Sequence, residues 1–176
     1  MSSDLHPANE RVRAYAQQRG VDIEITAFDE STHTAQEAAD AIGVSLGQIV
    51  KSLVFMAPAD PAQADGELVP VVALVRGTDR VDIGALATVC GRPRLRRASA
   101  REAKRVTGYS IGGVPPFAHD QPAEVVMDPA LDAYEQIWAA AGTPTTVFPI
   151  RPATLALLSD ALVAPCAEDV PVEVQR

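Results

Sequence analysis

The sequence predicts a single mixed α/β domain, and three observations carry that reading. At 176 residues, with 47% hydrophobic and 22% charged side chains, the chain is long enough for one core and short for several. Helical and β-prone segments interleave irregularly, which disfavours a doubly wound nucleotide fold. No internal repeat divides the chain. The longest apolar run, Leu68 to Val75, is far below the ~20 residues of a membrane helix. The start, Met1-Ser2-Ser3-Asp4, has no basic region followed by an apolar stretch. A soluble cytoplasmic protein with no membrane partner is therefore expected.

Pro7 to Arg19 places Val12, Ala16 and Arg19 at helical spacing and ends at Gly20, which predicts a helix with a C-terminal glycine. Val21, Ile23, Ile25 and Ala27 then alternate with Asp22, Glu24 and Thr26, the pattern of a half-buried strand. Thr34-Ala35-Gln36-Glu37 is a capping box opening a helix through Ile42, closed by Gly43. After a turn at Ser45 to Gln48, Ile49 to Met56 is strongly β-prone. Ala57 to Glu67 reads as a hairpin loop, and Leu68 to Arg76 as its second strand. Asp82 to Val89 predicts a helix and Leu95 to Arg97 a short strand. Ser99 to Val106 predicts a helix whose capping box is Ser99 with Glu102. Gly108 to Pro116 is loop by composition. Glu124 to Met127, Tyr134 to Ala140 and Thr145 to Ile150 predict strands, Pro152 to Ser159 a helix, and the acidic tail after Ala167 a loose end.

The formal charge of -8 argues against a general nucleic-acid coat, and DNA is not an expected partner. Charge is unevenly spread, however: seven of the 15 Lys and Arg lie between Arg92 and Arg105. That cluster is either a solvated face or an edge that holds a polyanion. Most signatures of chemistry are missing, including G-x-G-x-x-G, H-E-x-x-H, C-x-x-C and G-x-S-x-G. Gly43 to Ser52 imitates a phosphate loop, but Gly47 lies four residues before Lys51, where a phosphate loop needs the two adjacent. His6, His33 and His119 with Cys90 and Cys166 make no metal-ligand spacing, so neither a metal nor a cofactor is expected. The two cysteines read as reduced, buried thiols.

Two features stand out. Lys51, one of only two lysines, lies in Ile49-Val50-Lys51-Ser52-Leu53-Val54-Phe55, where the β period puts it on the face of Ile49, Leu53 and Phe55. It either snorkels from an edge strand, pairs with an acid such as Asp128, or lines a cleft. In a cleft it serves as a base of lowered pKa or as a retained charge. The second feature is Gly112-Gly113-Val114-Pro115-Pro116. Adjacent glycines let backbone N–H groups approach a carbonyl oxygen and the prolines fix the exit, although a plain rigid turn has the same composition.

Taken together these residues resemble the YbaK/ProX-type aminoacyl-tRNA deacylases, relatives of the editing domain of bacterial prolyl-tRNA synthetase. The resemblance rests on Ser31-Thr32-His33-Thr34, Glu37-Ala38-Ala39, Ile42-Gly43 and Gln48 to Phe55. It continues through Gly108-Tyr109-Ser110-Ile111-Gly112-Gly113-Val114-Pro115-Pro116-Phe117, with its G-x-x-x-P spacing, Asp128-Pro129-Ala130-Leu131 and Ala141-Gly142. It spans residues 7 to 165 of a single domain covering 1 to 176. It implies a curved mixed sheet forming a partly open barrel flanked by helices. It also implies Lys51 and Gly112 as catalytic, and Phe28, Gly113, Val114, Pro115, Pro116, Ala140, Gly142 and Val147 as substrate-binding. Arg96, Arg97 and Arg101 are the expected tRNA-docking residues. Three positions depart from the family pattern: Ala140 stands for a serine, Val147 for an aspartate, and Pro115 for a residue that is often serine. The expected activity is trans-editing hydrolysis of aminoacyl-tRNA carrying a small amino acid, with a synthetase as a further partner. The alternatives are a non-catalytic aminoacyl-tRNA or synthetase-binding module and a small-molecule amino-acid hydrolase or lyase.

Overall fold

The computed structural model describes residues 5–29 and 34–168. Ser31, Thr32 and His33 of the motif above, and the tail beyond residue 168, lie outside the described residues. Two antiparallel nine-residue strands form the backbone of the molecule, β2 (Val50–Pro58) and β3 (Leu68–Arg76), paired from Val50↔Arg76 to Pro58↔Leu68. β5 (Glu124–Met127) adds to β3 in parallel, and β8 (Leu162–Val163) adds to β5 in parallel. β4 (Arg96–Arg97) pairs antiparallel with the far end of β2, at Phe55 and Met56. A second, antiparallel sheet orders β1 (Thr26–Ala27), β7 (Thr146–Ile150) and β6 (Ile137–Ala140). The two sheets touch through one parallel bridge, Ile49↔Trp138, so the barrel stays partly open.

Helices cover both faces of the larger sheet, which is why Val71 to Val75 are all buried and the strand reads as an unbroken apolar run. On one face Val50, Val54, Met56, Val72 and Leu74 meet α1 (Pro7–Gln18), α4 (Ala100–Thr107) and α5 (Pro152–Ser159) through Val12, Ala103, Val106 and Leu155. On the other, Phe55, Val71, Ala73 and Val75 pack against Leu86 of α3 (Ile83–Cys90). A third cluster sets α2 (Ala35–Ile42) against Ile49 and Trp138.

The helix boundaries follow the capping chemistry. Thr34 Oγ1 accepts the Glu37 N–H at 3.1 Å, and Gly43 ends α2 at φ 85°. Ser99 and Glu102 form the reciprocal capping box of α4, at 3.1 and 3.0 Å. Two strand expectations change, and one strand had no expectation. The alternating segment from Val21 is a strand only at Thr26–Ala27, because only those residues lie opposite β7, at Val147 and Thr146. β6 starts at Ile137 and not at Tyr134, since Asp128 caps a 3₁₀ turn over Pro129–Ala133 that the Tyr134 N–H closes. β8 carries no pattern long enough to read, with only two residues. Both cysteines are free thiols. Among the described residues, no helix is long and apolar enough to cross a membrane.

Candidate functional site

The edge of β2 that faces away from β3 pairs with β4 at Phe55 and Met56 and with β6 at Ile49, but with no strand between. A cleft of about 240 Å³ lies at this gap, and Val50, Lys51, Ser52, Leu53 and Val54 line it consecutively. Strand alternation sorts its walls. Lys51 falls on the Ile49 face, and Ala140 falls on the matching Trp138 face across the bridge. Val147 pairs with Ala140 and joins them, so a charged Lys51 stands beside two small apolar residues of the second sheet. Thr34, Ala35 and Ala38 at the start of α2 close that side. Ile111, Gly112, Val114 and Pro144 close the other.

Lys51 is half-buried, and its Nζ donates to the main-chain carbonyl of Asp79. Burial lowers its pKa from the ordinary lysine value; Asp79 opposes this, while Arg97 and Arg80 add to it. Asp79 itself is 4% exposed and held by a forked pair to Arg76, with Nε to Oδ2 at 2.7 Å and Nη2 to Oδ1 at 3.0 Å. The arrangement fixes the loop whose carbonyl receives the ammonium. Asp128 is not the partner of Lys51: its carboxylate is spent on the N–H groups of Ala130, Cys166 and Ala167, each at 2.9 Å.

The glycine loop is held from below. Tyr109 donates its hydroxyl to the Ala118 carbonyl at 2.9 Å, and His119 Nε2 donates to the Pro115 carbonyl at 2.7 Å. Gly113 is pressed onto the β6–β7 turn, where a Cβ would meet the Cα and C of Thr143 at 2.7 Å. The Gly113 N–H is used internally, donating to the Ser110 carbonyl at 2.9 Å. Gly112, at φ 87°, lines the cleft, and the N–H groups of Gly112 and Val114 meet no acceptor among the described residues. Both residues line the cleft.

Of the residues expected to bind substrate, Lys51, Gly112, Val114, Ala140, Val147 and Arg97 line the cleft. Phe28 packs behind it with α2, its N–H bonded to the Thr145 carbonyl at 2.7 Å. Pro115 and Pro116 are buried beneath the loop. Gly142, at φ 104°, lets β6 turn against α1, where a Cβ would lie 2.8 Å from the Ala8 carbonyl oxygen. Arg96 is tied to Glu102 by two contacts of 2.8 Å, and Arg101 is exposed on α4. The sequence reading missed Ser52 and Trp138. Among the described residues, Ser52 Oγ and Trp138 Nε1 are buried on the cleft wall with no hydrogen-bond partner, and such orphans cost about 1–3 kcal/mol each. The only sequence signals were adjacency to Lys51 and the uniqueness of the tryptophan.

Among the described residues, no histidine or cysteine lines the cleft. Burial pushes the thiols of Cys90 and Cys166 up to about 11 and about 12, away from nucleophilic thiolates. Among the described residues no group of three or more His, Cys, Asp or Glu is gathered to hold a metal.

Comparison with known proteins identifies the family and the fold. A family model described as the aminoacyl-tRNA editing domain matches residues 29–158. YwhH of Bacillus subtilis, a protein of uncharacterized activity, is 30% identical over 148 residues, 84% of this chain and 88% of its own. EbsC of Enterococcus faecalis, a proposed Cys-tRNA(Pro)/Cys-tRNA(Cys) deacylase, is 25% identical over 116 residues, 66% of each chain. The crystal structure of a proposed trans-editing enzyme for prolyl-tRNA synthetase superposes with a TM-score of 0.83 at 38% identity, covering 94% of this chain and 99% of that one. With its partly open barrel, its Lys51 cleft and its glycine loop, this chain belongs to the aminoacyl-tRNA editing domain family.

Proposed function

We propose that this protein is a cytoplasmic hydrolase that deacylates aminoacyl-tRNA carrying a small amino acid. The observation that carries the reading is a small cleft with a half-buried lysine on one wall and two uncommitted loop N–H groups on another. The substrate is an activated ester between an amino acid and the terminal ribose. Water adds to its carbonyl carbon, and the oxyanion that forms is met by the N–H groups of Gly112 and Val114, each such donor contributing ~3 kcal/mol. Collapse breaks the acyl–oxygen bond, and the ribose oxygen leaves with the proton released by the water, relayed through the neighbouring ribose hydroxyl. Free amino acid and uncharged tRNA result. The water addition requires no covalent acyl-enzyme.

Lys51 holds the terminal phosphate or ribose as a cation, with Arg97 beside it. The small apolar wall of Ala140 and Val147 and the close backbone of Gly112 exclude aromatic and long charged acyl groups by size. A synthetase that releases mischarged tRNA is the partner this reading implies.

The test is a deacylation screen against tRNAs charged with alanine, serine, cysteine and threonine, with lysyl- and phenylalanyl-tRNA as large controls. Lys51→Ala is expected to keep its circular dichroism and thermal midpoint while losing roughly 100-fold in kcat/KM. Wild-type rates in Lys51→Ala, or hydrolysis of the large esters with the small ones left intact, would overturn the reading.

A further inference from the structure

Ser52 differs from its neighbours in that none of its hydrogen-bonding capacity toward the gap is taken up by the protein. Its side chain shares a face of β2 with Val50 and Val54, opposite to Lys51 and Leu53, by strand alternation. On that face the cleft wall is Val50, Val54, Ala98, Ala103 and Val114, all apolar. Two hydroxyls stand among them. Thr146 Oγ1 is committed, accepting from Asn9 Nδ2 at 2.9 Å and bonding Thr143 Oγ1 at 2.6 Å. Ser52 Oγ is buried and has no partner among the described residues.

The main chain explains why. The Ile49 carbonyl turns toward β3, accepting from Gly77, and the Val54 carbonyl turns to the opposite edge, accepting from Ala98. Alternation therefore sends the Ser52 N–H and C=O to the edge where no strand lies between β4 and β6.

We propose that Ser52 is a specificity-determining residue that reads a hydroxyl on the acyl group, so that the preferred esters are those of serine or threonine over alanine. The inference rests on the deacylase reading above. A hydroxyl both donates and accepts, so it matches Ser52 Oγ in either sense, whereas a methyl group leaves Ser52 as unpaired as in the free protein. The surrounding Ala98, Ala103 and Val114 keep the site small.

The experiment measures kcat/KM for seryl-, threonyl-, alanyl- and 2-aminobutyryl-tRNA with the wild type, Ser52→Ala and Ser52→Thr, alongside thermal midpoints. The wild type is expected to prefer seryl- over alanyl-tRNA, and Ser52→Ala to lose that preference by roughly 10-fold, the worth of one hydrogen bond. Its alanyl rate stays within about twofold and its midpoint does not fall, because no internal bond is removed. Ser52→Thr, which retains a hydroxyl, keeps the preference. An unchanged seryl-to-alanyl ratio in Ser52→Ala, or a fall in both rates together with the midpoint, would show Ser52 to be structural and overturn the inference while leaving the deacylase reading intact. A wild type that hydrolyses none of the four esters overturns both.

Discussion

His119 sits under the glycine loop, half-buried, with its Nε2–H on the Pro115 carbonyl. Burial lowers its pKa from the ordinary 6.5, with Arg11 adding to the effect and the Pro115 carbonyl and Asp120 opposing it. Above 6.5 the ring is neutral folded or unfolded, and it has no effect on the pH dependence of stability. Below 6.5 the unfolded chain binds a proton that the folded ring refuses, so stability is lost as pH falls toward the lowered value. His119→Gln keeps a neutral donor and removes the titration. The variant is expected to lose less of its thermal midpoint than the wild type between about pH 7 and pH 5; parallel curves would refute the assignment. Lys51 shows the limit of residue-level reading. Its rarity and its apolar strand marked it, but the Asp79 carbonyl that receives it lies 28 positions along the chain, where no local pattern points.

The glycine loop is an element whose two glycines have different duties. Gly112 needs its φ of 87°, whereas Gly113 has no such angle and is small for contact. A Cβ on Gly113 would lie 2.7 Å from Thr143 and 2.9 Å from the Pro144 nitrogen, all main-chain atoms that cannot swing aside. Gly113→Ala is therefore expected to cost about 1–3 kcal/mol in stability and to lower kcat by lifting Gly112 and Val114 from the cleft. Denaturant unfolding and single-turnover deacylation check it. At Gly112 a Cβ meets only Pro144, at 3.7 Å, so Gly112→Ala bears the left-handed backbone cost alone, about 1–2 kcal/mol. Elements whose ends are set by local chemistry were legible in the sequence: α2 from Thr34 to Gly43, and α4 from Ser99 to Gly108. β1 and β6 were not, because the extent of a strand is set by its partner.

On the scale of the whole molecule, folding commits part of the basic cluster of residues 92–105 to internal partners. Arg92 pairs with Glu124 at 2.6 Å, Arg96 with Glu102 at 2.8 Å, and Lys104 donates to the Gly108 carbonyl at 3.0 Å. Arg97 instead lines the cleft, its guanidinium 5.7 Å from the Phe55 ring centre. Arg97→Gln is thus expected to raise KM and flatten its dependence on salt with little change in kcat, and Arg96→Gln to do neither. Equal salt slopes for the two variants, measured from 50 to 300 mM salt, would show that both belong to a solvated face. The sequence by itself determined the mixed α/β class, the helix caps, the β2–β3 hairpin and two features that line the cleft, Lys51 and the loop at Gly112. Each of these is written in periodicity, capping chemistry or a run of rare residue types, all of which act over a few positions. Only the tertiary structure decided that the cleft lies at the open edge of β2. It also decided that Ala140 and Val147 share the Lys51 wall, that Gly142 and Pro116 support the site from outside it, and that Ser52 has no partner. Those facts depend on which strands meet and where they part, and a hydrogen bond that is missing leaves no mark in the local pattern.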